Sequence, residues 1–160
     1  MKISHLFFAT LIGVCTTQTS LAQTNTSKTS AALNHIAFYV ADLKVATTFY
    51  SELFNLKSID CPINDGKHFW FGLGFNTALH IISGAKTKGS YFIEEHLCFS
   101  VPSIAIFIEQ LNAKKIVYMS FGKVINEVTL RPDGVQQLYI QDPDGHWLEV
   151  NDAKKQKKYL

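Results

Sequence analysis

Apolar and polar residues alternate along several short runs of this chain, and twice the alternation gives way to a stripe with helical spacing. In "LNHIAFYV", from Leu33, the alternation puts Ile36, Phe38 and Val40 on one side of a strand and His35, Ala37 and Tyr39 on the other. Further strands are predicted at Leu56–Asp60, His68–Leu73 and Ala78–Ser83. A second set is predicted at Glu95–Val101, Ile116–Met119, Val124–Leu130, Val135–Gln141 and His146–Asn151. A helical stripe follows the first strand of each set. "DLKVATTFYSELFNL" carries Leu43, Ala46, Phe49, Tyr50 and Leu53 on one face, and "PSIAIFIEQLNA" carries Ile104, Phe107, Ile108 and Leu111. Pro102 is expected to open the second helix, where a missing N–H costs nothing.

The two sets read as two copies of one repeat. "NHIAFYVADL", from Asn34, and "EHLCFSVPSI", from Glu95, share the order His, apolar, small, Phe, any residue, Val. The closing strands align as well. "TALHIIS" and "HWLEVND" place Leu-His-Ile over Leu-Glu-Val, so His80 corresponds to Glu149 and His35 to His96. Only "GAKTKGSYF" joins the halves, too short a linker for independent domains.

One face of these strands is uniformly greasy and should pack on the two helices. The opposite face holds His35, His80, His96 and Glu149, together with Tyr139, Gln137, Trp147 and Cys98. A sheet face meeting water would scatter Lys, Thr and Glu, yet the strands that carry these residues contain no Lys or Arg. The mix suits a partly enclosed cleft. An approximate twofold axis between the halves would gather the four equivalent positions around one point. Three neutral imidazoles and a carboxylate are a donor set for a divalent metal. The cation would also offset the charge of Glu149, which otherwise sits oddly between Leu148 and Val150. Trp147, Gln137 and Tyr139 are the candidate substrate contacts, with support of the sheet as their alternative role. Cys98 should face the cleft as a small residue. His5, His68 and His146 fall outside the pattern, and His146 is expected to be exposed beside a turn. That turn, "DPDG" from Asp142 to Gly145, fixes the register that aims Glu149 inward, and an ordinary hairpin turn explains it.

Composition narrows the function classes. The chain has 160 residues and a formal net charge of +2, with a mixed surface that gives no footprint for nucleic acid. Its one basic run, "AKKQKKYL" at 153–160, reads as a solvated tail. Residues 1–22 have the pattern of a secretory signal peptide: Lys2, an apolar stretch from Leu6 to Val14, then Ser20 and Ala22. The stretch is too short for a permanent bilayer span, so the mature chain is expected to be exported, periplasmic or secreted, without a membrane anchor. Residues 23–32 read as a polar, disordered lead-in. Removal of the leader leaves Cys61 and Cys98, whose positions do not decide whether they pair.

These segments resemble the vicinal oxygen chelate superfamily, the fold of glyoxalase I, fosfomycin-resistance proteins, extradiol dioxygenases and bleomycin-binding proteins. "LNHIAFYVADLKVATTFYSELFNL" is similar to its opening strand and helix, "EHLCFSV" to its second opening, and "LYIQDPDGHWLEV" to its closing hairpin. The resemblance covers Leu33 to Asp152. It implies an α+β fold in one domain, 33–152, with two βαβββ modules at about 33–83 and 93–152 forming a cupped mixed sheet, often in a homodimer. It also implies one divalent metal (Ni, Zn, Mn or Fe) on His35, His80, His96 and Glu149. Bacterial-type glyoxalase I usually has glutamate where this chain has His80. Only Glu149 is then available as a catalytic carboxylate, an arrangement closer to glyoxalase-like proteins of unassigned substrate.

The leading expectation is a metal-dependent lyase or isomerase that holds a small substrate by two neighbouring oxygens and stabilises an enediolate as charge develops. Glu149 would remain a ligand or loosen to act as base. A non-haem iron dioxygenase is the alternative, although His80 as a fourth ligand would use a position that oxygen and a catechol need. Fosfomycin modification fits less well, since the tail is short and the chain's one Arg is Arg131. A non-enzymatic module that stacks a planar ligand on Trp70, Tyr139 and Trp147 is the remaining reading.

Overall fold

The computed structural model describes residues 30–154. The expected leader at 1–22, most of the lead-in at 23–32 and most of the tail at 153–160 lie outside the described residues. The element order is β1 (His35–Val40), α1 (Leu43–Phe54), β2 (Lys57–Ile59), β3 (His68–Gly74), β4 (Thr77–Ser83), β5 (His96–Ser100), α2 (Ile104–Ala113), β6 (Thr129–Leu130), β7 (Gln136–Gln141) and β8 (Trp147–Asn151). The repeat in the sequence is a repeat in topology. One sheet runs β1-β4-β3-β2 and the other β5-β8-β7-β6. In each, the first strand pairs in parallel with the last, and the remaining pairs are antiparallel. These are the two βαβββ modules of an α+β fold.

Each helix starts where a side chain replaces a missing backbone partner. Asp42 accepts from the Val45 N–H at 3.0 Å and Ser103 from the Ile106 N–H at 3.3 Å. Pro102 therefore lies one residue before the cap, not inside the helix as its sequence position had suggested. Asn55 closes α1 in the left-handed conformation. The greasy strand faces and both helix stripes meet in one core. Val40, Leu79, Ile81, Leu138, Ile140, Leu148 and Val150 pack with Ala46, Tyr50, Leu53, Ile104, Phe107 and Leu111. Phe54 at the end of α1 stacks on Phe99 at 4.3 Å and Phe107 at 5.7 Å, which ties the modules together through aromatic rings. Among the described residues, no helix is long and apolar enough to cross a membrane.

Three expectations need correction. Ile116–Met119 is not a strand, and of Val124–Leu130 only Thr129–Leu130 pairs. Lys115, Lys123 and Asn126 adopt positive φ (55°, 63° and 59°), which breaks the pleat, and Met119 makes only isolated bridges to Ile125 and Tyr139. His146 is not exposed: it retains 6% of its accessible surface and lies between the rings of Phe38 and Tyr91, at 4.3 and 4.4 Å. Nor is the Asp142–Gly145 turn an ordinary one. Asp142 and Asp144 are each 4% exposed. One Asp142 oxygen accepts the backbone N–H groups of Asp144 (3.0 Å) and His146 (2.8 Å). The other accepts the Tyr50 hydroxyl (2.8 Å) and the His146 Nδ1–H (2.9 Å). Asp144 accepts the Ala41 N–H at 2.7 Å. The turn of the second module thus binds the start of α1 and its buried face. Gly145 takes φ 95° there, and a Cβ would lie 3.0 Å from the Gly89 carbonyl.

Burial and the neighbouring Asp142 and Asp144 raise the Tyr50 pKa well above its ordinary value, so the hydroxyl stays a donor. Tyr50→Phe keeps the ring and removes that donor. Urea unfolding should show a loss of about 1–3 kcal/mol, the cost of leaving a buried acceptor short of a partner. A midpoint equal to that of the wild type would mean that the contact between modules carries no stability.

Candidate metal centre

In the first module, the parallel register sets His80 beside Ala37, which brings His35 and His80 diagonally together on the outer face. Their rings stack at 4.1 Å with planes 7° apart. Trp70, opposite His80 on β3, stacks on its other side at 4.1 Å. Three strands thus carry a column of Trp70, His80 and His35. An imidazole lone pair lies in the plane of its ring, so an ion in the plane of one stacked ring lies out of plane for the other. One ring must turn before both can bind the same ion. His80 is held on both sides, whereas His35 is at the exposed end of the column. The His35 Nδ1–H donates to Asn34 Oδ1 at 2.8 Å, leaving Nε2 as the basic nitrogen. Burial, then the charges of His35 and His68, lower the His80 pKa and favour the neutral form that a metal requires.

In the second module, His96 and Glu149 come together by the equivalent route, on β5 and β8. The His96 Nδ1–H donates to the Ile93 carbonyl at 2.7 Å, so Nε2 is again the basic nitrogen. Nε2 faces Glu149 Oε2 at 3.2 Å. A lone pair and a carboxylate oxygen this close repel unless a proton or a cation lies between them. The spacing fits two neighbouring ligands of one ion: with ligand distances of about 2.0–2.2 Å they subtend about 100°. Glu149 is 7% exposed. Burial pushes its pKa up, but hydrogen bonds from Tyr139 (2.7 Å), Asn151 (2.9 Å) and Cys98 (3.3 Å), with the charge of His96, outweigh burial and hold it below the ordinary value. The carboxylate is ionised.

The four expected ligands therefore form two pairs, one per module. Among the described residues, no three His, Cys, Asp or Glu side chains stand together as a metal site. The donor set fits a divalent ion, and each module supplies half of it. Of the candidate substrate contacts, Tyr139 has its hydroxyl on Glu149, and the Gln137 side chain donates to that hydroxyl at 2.9 Å. Trp147 packs with Ile93 and Tyr139, and its Nε1–H donates to the Tyr91 carbonyl at 3.0 Å. Cys61 and Cys98 are both free thiols. Asn151 was not singled out from the sequence, and Trp70 was named only as a surface for stacking a planar ligand. Asn151 has the same strand parity as Glu149, which was the available signal for it. The stacking of Trp70 on His80 depends on the β3–β4 register, which no sequence pattern specified.

The family model described as "Glyoxalase/Bleomycin resistance protein/Dioxygenase superfamily" matches residues 32–150. The curated protein YwbC of Bacillus subtilis (strain 168) is 28% identical over 124 residues, 73% of this chain and 94% of its own. Among solved structures, oxidase ChaP-H2 has a TM-score of 0.64 at 17% identity, covering 81% of this chain and 98% of its own. Lactoylglutathione lyase from Agrobacterium tumefaciens has a TM-score of 0.55 at 23% identity, covering 78% and 95%. At these identities the two structures speak for the fold alone.

Burial and the adjacent Glu149 push the Cys98 thiol up to about 12. The sign follows from charge: a thiolate there would stand beside an ionised carboxylate. At pH 8 roughly one Cys98 in 10⁴ is then the reactive thiolate. In the metal-free protein, mass spectrometry after iodoacetamide treatment at pH 8 should find Cys98 less alkylated than in Glu149→Gln, which removes the negative neighbour and leaves the burial unchanged. Equal labelling in the two proteins would contradict the coupling.

Proposed function

Because the chain belongs to the glyoxalase/bleomycin resistance protein/dioxygenase superfamily, we propose that it is an exported, metal-dependent enzyme of the glyoxalase-like lyase or isomerase class. Its substrate would be a small molecule that presents two neighbouring oxygens to the metal. The observation that carries the reading is the His96–Glu149 pair, two basic atoms 3.2 Å apart with the histidine tautomer already set. The leader pattern in residues 1–22 is the support for export.

His35, His80, His96 and Glu149 would hold the ion. When bound, a divalent ion supplies Lewis acidity that polarises the two substrate oxygens. The protein supplies orientation. Asn34 and the Ile93 carbonyl direct the basic nitrogens of His35 and His96. Trp70 holds the His80 ring, and Tyr139 and Asn151 keep Glu149 ionised and in place. The buried Trp147 and Tyr139 form an apolar floor beside the pair.

The pairs reside on separate sheets, and each sheet ends on an outer strand, β1 or β5, that bears one of the histidines. The site proposed here is completed by a second copy: His35 and His80 from one chain face His96 and Glu149 from the other. An isologous dimer would build two such sites.

Elemental analysis of the purified protein tests the reading. About one divalent ion per chain is expected, lost in His96→Ala and in Glu149→Ala. Absence of metal even after reconstitution would leave a small-ligand binding module as the better account. Mixing tests the assembly. A His35→Ala/His80→Ala protein and a His96→Ala/Glu149→Ala protein bind nothing alone. After mixed refolding, a statistical population of twofold dimers should recover about one intact site per four chains. No recovery would place all four ligands within one chain.

A further inference from the structure

Glu149 has about four lone-pair positions, as any carboxylate does. Oε1 accepts Asn151 Nδ2 at 2.9 Å and Cys98 Sγ at 3.3 Å. Oε2 accepts the Tyr139 hydroxyl at 2.7 Å and keeps only the direction facing His96. The donors are themselves held. Tyr139 accepts from Gln137 at 2.9 Å. Asn151 Oδ1 accepts from Ser100 Oγ at 2.8 Å and from the Ala153 N–H at 3.2 Å, and its amide also donates to Cys98 Sγ at 3.1 Å. Turning Glu149 away would strand the Tyr139 hydroxyl and the Asn151 amide, both on buried residues.

We infer that Tyr139, Asn151 and Cys98 are positioning residues that lock Glu149 as a one-oxygen ligand and withhold it from service as a mobile base. The inference rests on the metal reading above and narrows it. Three of the four acceptor positions are filled by protein donors, and the fourth points where the ion would be. No lone pair remains for a substrate proton. The reaction must then be one in which Glu149 keeps its partners from start to finish, with any proton passing to a group outside this cradle. Tyr139 acts through Glu149 and does not contact substrate with its hydroxyl. Cys98 serves as a neutral donor, a role that a serine can take and an alanine cannot.

Cobalt(II) binding tests this without knowledge of the substrate. The metal-free protein is titrated with cobalt against a chromophoric chelator, and the visible d–d spectrum of each complex is recorded. Tyr139→Phe should weaken cobalt binding about 10–100-fold and alter the spectrum as Glu149 gains freedom to rebind through both oxygens. Cys98→Ala should shift affinity and spectrum in the same direction, and Cys98→Ser should restore both. Cys98 lies on the exposed side of the cradle, so this pair remains informative if the Tyr139 variant folds poorly. Wild-type affinity and spectrum in Tyr139→Phe and Cys98→Ala would overturn the inference while leaving the metal reading intact. No cobalt binding by the wild type would overturn both.

Discussion

A carboxylate buried in a protein must have its oxygens filled, and the fold of this chain depends on how Asp142 is filled. Two backbone N–H groups, the Tyr50 hydroxyl and the His146 imidazole occupy its four acceptor positions. Because one of these partners lies on α1, satisfying the turn also docks the second module onto the first. The same turn sets the register of β8, and hence the side of the sheet on which Glu149 emerges. Packing between modules and the placement of Glu149 share one polar contact.

Asp142 and Glu149 are the same problem solved to different ends. Both are buried, and both receive a tyrosine hydroxyl and an imidazole nitrogen. At Asp142 the histidine donates and the set is closed. At Glu149 the histidine's proton is committed to Ile93, so the nitrogen that faces the carboxylate has none to give in the neutral form. The two carboxylates therefore differ in whether the neighbouring imidazole turns a committed N–H or a free nitrogen toward them.

Much of this was legible in the sequence because alternation along strands is a strong signal. The repeated order of strand, helix and further strands, the apolar faces and the shared opposite face of His35, His80, His96 and Glu149 all follow from residue parity and the alignment of the halves. What parity cannot say is how far apart two sheets hold their faces, and the four positions lie as two pairs rather than one group. The segment from Ile116 to Val128 misled for another reason. Its Val and Ile residues favour strands, but Val117, Val124 and Ile125 are exposed, and two backbone reversals, at Lys123 and Asn126, prevail over that preference. His146 misled because a residue beside a turn is ordinarily wet, and nothing local reveals that Phe38 and Tyr91 will enclose it.

The hairpin that corresponds to Asp142–Gly145 in the first module is the turn between β3 and β4. There Phe75 and Asn76 adopt positive φ, Phe75 is almost wholly exposed, and no carboxylate is present. The two modules thus differ in kind: one carries the clasp and the other carries the surface it clasps. Recombination that replaced the second half with another copy of the first would preserve every strand and helix yet discard the fastening. The outline is symmetric, but its halves are not interchangeable parts.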